Sequence, residues 1–183
     1  MGVQIQRMTV EEFERFAALP ENEIRLLEYI GGETVEVVCN SYSSLVAANI
    51  LFLIKLYLRE SSVEAYVTGE AAGYMVADER YIPDVGIILK EHHPEAPHET
   101  WIPYPPDLVV EVLSPTDKPK DVSAKVANYL AVGTTVWLVD PEDKVIKICV
   151  PGQKVQTVRF DDQLDGGNVL LGFSAAVKDI FQV

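Results

Sequence analysis

Two short, almost wholly apolar runs set the terms for this chain: Val85-Gly-Ile-Ile-Leu89 and Leu108-Val-Val-Glu-Val-Leu113. Runs this short and this rich in Val, Ile and Leu read as strands covered on both faces, the interior of a sheet. Such strands need other layers packed over them, so the chain must fold around a central sheet. Glu111 interrupts the second run. Strand side chains alternate, so Asp107, Val109 and Glu111 share one face. An ionised carboxylate in the middle of a core strand is costly unless it is paired or meets a cation. An edge or solvent-facing position would explain it without chemistry.

The rest of the chain supplies the covering layers. Thr9-Val-Glu-Glu12 reads as a capping box that opens a short helix to about Ala18, with Pro20 ending it. The apolar-rich runs 24–30 and 34–38 flank Gly31-Gly32, the pattern of a tight hairpin. Asn40 to Ser44 offer caps for a long helix to about Arg59, whose Leu45, Ile50, Leu53, Ile54 and Tyr57 include helical spacings. Further strands are expected near 63–68, 73–76, 135–139 and 145–150, and a loop over 91–106. A helix is expected over 121–132, closed by Gly133. Asp165-Gly-Gly-Asn168 reads as a turn, with the tail to Phe181 packing back on the domain. Without a repeat, a low-complexity stretch or a linker, the 183 residues read as one domain, 1–183, of class α/β or α+β.

Composition bounds function from the other side. The net charge is −13, and nucleic acid is held largely through its phosphates, so this chain is poorly suited to grasping DNA unspecifically. Cys39 and Cys149 form no CxxC pair and read as small buried hydrophobes in a reducing compartment. No basic-then-apolar leader pattern opens the chain, and the apolar stretch 45–58 is short for a bilayer and carries Lys55. The expectation is a cytoplasmic protein without membrane contact.

Asp84 follows Pro83 and opens the strand 85–89. If the two apolar strands are neighbours, Asp84 and Glu111 converge at one end of the sheet. Two carboxylates at one point form a hard oxygen site suited to Mg²⁺ or Mn²⁺, to which the Val112 carbonyl can add a ligand. An acid at a strand start can equally just end the pairing. Asp121, Lys125 and Tyr129 fall on one helix face, with Lys125 flanking an apolar stripe of Val122, Val126, Tyr129 and Leu130. Its ammonium either reaches over the sheet toward Glu111, to orient water or stabilise a phosphate, or pairs with Asp121 on the surface. Lys118, Lys120 and Lys125 form the one local basic cluster, which meets phosphate or is solvated. Trp101 and Tyr104 can stack on bases, but packing over the sheet edge or a dimer contact suits them better. His92, His93 and His98 match no zinc spacing and read as a solvated loop, and Ser114-Pro-Thr-Asp117 reads as a turn.

Five segments in order resemble the Uma-two family, small bacterial proteins classed as restriction-endonuclease-like, over essentially the whole chain. They are Leu26-Leu-Glu-Tyr-Ile-Gly-Gly-Glu33, Pro83-Asp84, Pro106-Asp-Leu-Val-Val-Glu-Val-Leu-Ser-Pro115, Lys125-Val-Ala-Asn-Tyr129 and Trp137-Leu-Val-Asp-Pro141. The family is similar to the PD-(D/E)XK nuclease superfamily. The resemblance implies a mixed central sheet flanked by helices, here with an N-terminal helix and hairpin, and a Mg²⁺ site at one edge. It implies Asp84 and Glu111 as the two acids. The lysine expected two residues after the second acid is Leu113 here, so that role falls to Lys125. Glu70 sits where the family often carries an acid, as a further ligand or base.

The expected function is Mg²⁺- or Mn²⁺-dependent hydrolysis of phosphodiester bonds in nucleic acid, foremost DNA, with weak intrinsic affinity and a homodimer that presents paired sites. The alternative is a nuclease-fold interaction module that has lost its chemistry, motivated by the −13 charge and Leu113. Nothing beyond the two acids speaks for a two-carboxylate glycosidase.

Overall fold

The computed structural model describes residues 7–38 and 40–182, so the reading of Cys39 lies outside the described residues. Cys149 is a free, buried thiol. The capping box forms as expected: the amide of Glu12 donates to Thr9 Oγ1 (3.3 Å) and that of Thr9 to Glu12 Oε2 (2.8 Å), starting helix α1, Val10–Ala17. The hairpin follows as β1, Leu27–Ile30, and β2, Glu33–Glu36, with Ile30 opposite Glu33. The two turn residues have φ of +59° and +90°, the left-handed backbone that Gly31 and Gly32 adopt without a Cβ clash. Helix α2, Ser41–Glu60, is capped by Asn40, whose side chain accepts from the Ser43 amide.

The strands form two larger sheets and a small one. The remaining elements are β3 Ala65–Gly69, β4 Gly73–Val76, β5 Glu79–Tyr81, β6 Val85–Leu89, β7 Trp101–Ile102, β8 Leu108–Val112, α3 Pro119–Ala131, β9 Thr135–Asp140, β10 Val145–Cys149, β11 Gln156–Arg159, β12 Gln163–Asp165, β13 Ser174–Ala176 and α4 Val177–Ile180. The six-stranded sheet has the order β11-β10-β9-β8-β6-β3 and is antiparallel except for the β8–β9 pair. The five-stranded sheet has the order β2-β1-β5-β4-β7, and β12 pairs with β13. The sequence reading anticipated one central sheet; the second sheet is built partly from β5 and β7, which are too short to leave a periodic trace.

β6 and β8 are buried on both faces, as their composition requires. Val85, Ile87, Leu108, Val110 and Val112 pack toward α2 residues Val46, Ile50 and Ile54 and toward Phe173, Val177 and Ile180 of the tail. Ile88 and Val109, on the opposite face, pack with Tyr129 of α3 and with Tyr74 and Tyr81 of the five-stranded sheet. By length and composition α2 could cross a bilayer, a longer apolar element than the 45–58 stretch suggested. Its inner face is committed to the sheet instead, with Val46, Ala47, Ile50 and Ile54 all buried. β8, α3 and β9 make a parallel crossover unit, which lays α3 over the face that carries Glu111.

Candidate active site

The strand register brings the sequence-expected acids to one end of the six-stranded sheet. Gly69 pairs with Val85, and Val85 with Val110. One step beyond the β6–β8 ladder Asp84 comes beside Glu111, and Glu70 directly follows β3 at the same end of the sheet. Directly opposed residues of antiparallel strands project from the same face. For Asp84 and Glu111 that is the face covered by α3.

The local bonds explain how each group is held. Asp84 Oδ2 accepts from the Val112 amide at 2.6 Å, so the Val112 polar groups face β6. Lys125 Nζ donates to Glu111 Oε2 at 2.8 Å and to Glu28 Oε1 at 2.9 Å. The surface pair with Asp121 is not formed; Lys125 takes the inward alternative. Glu28 Oε1 also accepts from the Ile82 amide at 2.7 Å. Glu111 Oε1 and the Tyr129 hydroxyl are both buried and neither makes a well-formed hydrogen bond among the described residues, although the two side chains are near enough to act on one another.

Burial dominates the electrostatics. It pushes the Asp84 carboxyl up to about 6, although the Val112 amide and the Lys125 ammonium favour its charged form. It pushes Glu111 above the usual carboxylate range, and the Lys125 ammonium pulls it part of the way back. Burial works against the charged form of Lys125 too, but the Glu111 and Glu28 carboxylates outweigh it and hold the ammonium above its ordinary pKa. Burial and the same two carboxylates raise the Tyr129 hydroxyl well above its ordinary value.

These groups open onto a pocket of about 330 Å³ between the β1–β2 hairpin, the ends of β6 and β8, and α3. Seven acidic side chains line it (Glu28, Glu33, Glu36, Asp84, Glu111, Asp117 and Asp121) against Lys118 and Lys125. The residues suit a hard divalent cation. Glu111 has one oxygen on an ammonium and one without a well-formed hydrogen bond, and Asp84 has one oxygen on an amide. When all are ionised, Glu28, Asp84 and Glu111 exceed Lys125 by two negative charges, which a divalent ion balances. No cluster of three or more acidic, His or Cys ligands is preformed among the described residues, so the site offers two carboxylates rather than a cage.

The other candidates fall outside this cluster or at its rim. Glu70, just beyond β3, takes a hydrogen bond from Ser44 Oγ at 3.3 Å and does not line the pocket. Lys120 is drawn off by Glu33 (3.5 Å) and Asp121 (3.8 Å), so of the basic cluster only Lys118 and Lys125 face the pocket. His92 binds Asp107, and His93 stacks on Tyr104 with ring centroids 3.5 Å apart. Trp101 packs on Phe13. Ser114 and Asp117 form the expected turn, the Ser114 amide donating to Asp117 Oδ2. Glu28 is the member that the reading of individual residues missed. Its signal was the one that exposed Glu111: a lone acid inside an apolar run, Leu26-Leu-Glu-Tyr-Ile30.

The mixed sheet flanked by helices defines a restriction-endonuclease-like fold. The chain belongs to the Uma2 family, described as "Putative restriction endonuclease", which it matches over residues 10–178. It is similar in structure to a crystal structure described as a "putative nuclease belonging to DUF820" from Anabaena variabilis, with TM-score 0.82, 22% identity, and coverage of 95% of this chain and 97% of that one. At that identity the likeness is one of fold. No curated protein matches the chain.

Proposed function

We propose that the protein is a Mg²⁺- or Mn²⁺-dependent nuclease that hydrolyses phosphodiester bonds of nucleic acid, foremost DNA. The observation that carries this reading is the half-satisfied Glu111: one oxygen bonded to Lys125, the other buried beside the Tyr129 hydroxyl without a well-formed hydrogen bond, at a pocket that Asp84 also lines. Asp84, Glu111 and the Val112 carbonyl would hold the cation. Bound there, it supplies an activated water and charge neutralisation at the phosphate.

The remaining work falls to the chain's own residues. The Val112 amide fixes the Asp84 carboxylate so that its second oxygen is free for a ligand. Lys125 keeps its positive charge through its two carboxylate partners and donates to a phosphate oxygen or orients the attacking water. α3 and the hairpin wall the site and limit water around the reacting phosphate. Glu70 is close enough to act on Asp84 electrostatically and can serve as an outer ligand or base once released from Ser44.

The acid-rich pocket answers the charge objection in a specific way. Without a cation it repels phosphate, so nucleic-acid affinity should be weak and should depend on the divalent ion. We further propose a homodimer, which would present two sites to a duplex. The outward face of α2 supports it: Leu45, Phe52 and Leu56 are exposed there, and no acid lies on α2 before Glu60 in a chain of net charge −13. The free, buried Cys149 accords with a reducing cytoplasm.

The test is a cleavage assay on single- and double-stranded DNA and on RNA with Mg²⁺ or Mn²⁺. Wild type should cut, and Asp84→Ala and Lys125→Ala should fall by about a hundredfold or more. Cleavage by wild type and both variants at one background level would favour the rival reading, an interaction module built on the nuclease fold.

A further inference from the structure

Resting on that reading, we propose that Glu28 is a positioning residue for the reaction: its carboxylate fixes the Lys125 ammonium against Glu111 and ties it to the segment that delivers Asp84. Glu28 lies on β1, in the other sheet, 97 residues from Lys125 in sequence and only 4% exposed. Nothing in the cation site needs it as a ligand. A buried acid in an otherwise apolar strand is not a stability device either, since an apolar side chain of similar volume usually serves as well or better.

What Glu28 does is visible in its bonds. A single oxygen, Oε1, accepts from Lys125 Nζ at 2.9 Å and from the Ile82 amide at 2.7 Å. Ile82 is followed by Pro83 and then Asp84. One atom therefore joins the lysine on α3 to the approach of the first acid. An ammonium has three donors. Glu28 and Glu111 take two, and with both directions fixed the third is left for whatever enters the pocket that Lys125 lines. Without the Glu28 charge, the four-carbon lysine stem has other acids within the pocket to swing toward, Asp121 and Asp84 among them. Glu111 would then face the cation with no ordered ammonium beside it.

The test uses Glu28→Gln, which keeps the shape and an acceptor for Ile82 but removes the charge. Three readouts are compared. First, acetylation of each lysine by a water-soluble acylating reagent, followed by mass spectrometry, reports the restraint on Lys125 without reference to activity, with exposed Lys118 and Lys154 as internal standards. In wild type Lys125 should react most slowly of the three, and Glu28→Gln should raise its rate about tenfold against the standards. Second, Mn²⁺ should still bind saturably by calorimetry, weakened by the lost charge but not abolished, since no ligand is removed. Third, kcat on a cleaved nucleic acid should fall about tenfold with little change in KM, and the same substitution in a Lys125→Met background should cost nothing more.

The proposal is overturned if wild-type Lys125 acetylates as fast as Lys118, if Glu28→Gln leaves its rate unchanged, or if the loss in kcat is as large in the Lys125→Met background. The first of these needs no variant and decides even if Glu28→Gln folds poorly. Absence of any cleavage by wild type would fail the nuclease reading instead, and the acetylation results would still decide whether Glu28 restrains Lys125.

Discussion

Asp107, just before β8, and Glu111, near its end, are four residues apart with side chains 16% and 15% exposed, and they have opposite fates. Asp107 is finished: Oδ2 accepts from the Leu89 amide at 2.7 Å and Oδ1 lies 2.6 Å from His92 Nδ1. Glu111 is unfinished, with Oε1 only half-satisfied where it lies buried. Burial does not distinguish the two acids; completion of their hydrogen bonds does. Asp107 ties the start of β8 to the end of β6 and to the loop that carries His92, whereas Glu111 keeps one oxygen outside any well-formed hydrogen bond, with the Tyr129 hydroxyl as its neighbour.

The comparison can be broken most strongly through Lys125. Lys125→Met leaves Glu28 and Glu111 buried around an apolar tip, and should cost about 3–5 kcal/mol of stability. Denaturant unfolding should show this loss shrinking as pH falls, because protonated carboxyls no longer need the ammonium. A loss that does not vary with pH would mean that the two acids are not the reason for it.

A smaller effect of opposite sign is expected at Asp84. Its carboxyl is raised from 3.8 to about 6 by burial, so the folded state binds its proton more tightly than the unfolded chain. Folding stability from this group is therefore present below about pH 4 and is lost as pH rises through about 6. Asp84→Asn should thus stabilise the protein by about 1–2 kcal/mol at neutral pH and give no gain near pH 4, while abolishing the response to Mn²⁺. For the same reason the cation affinity of wild type should strengthen as pH rises through about 6. Equal Asp84→Asn gains at both pH values would remove the titration from the explanation.

The smallest change is reserved for the finished acid. Asp107→Asn should cost about 1 kcal/mol in denaturant unfolding, through the weakened His92 contact, and leave Mn²⁺ binding as in wild type. A loss of cation binding there would collapse the distinction between the two acids.

Much of this contrast was legible before any coordinates. The capping box, the Gly31-Gly32 hairpin, the buried strands and the misplaced Glu111 each carry a local physical signature, and local signatures survive folding. Register does not work that way. That Asp84 faces Glu111 depends on β6 pairing with β8 at Val85 and Val110, a choice made by the whole sheet. The choice between Asp121 and Glu111 as the partner of Lys125 was likewise open on helix spacing, and was decided by where α3 docks. Glu28 required a second sheet whose β5 and β7 span three and two residues, below the length at which alternation is readable.

The most direct test of the account is calorimetric titration of Mn²⁺ into the wild-type protein and into Glu111→Gln at about pH 7.5, with Asp107→Asn as the companion. Saturable binding by wild type and Asp107→Asn, absent in Glu111→Gln, is the predicted result. Equal heats from wild type and Glu111→Gln would mean that the half-satisfied acid of β8 is not where a cation goes.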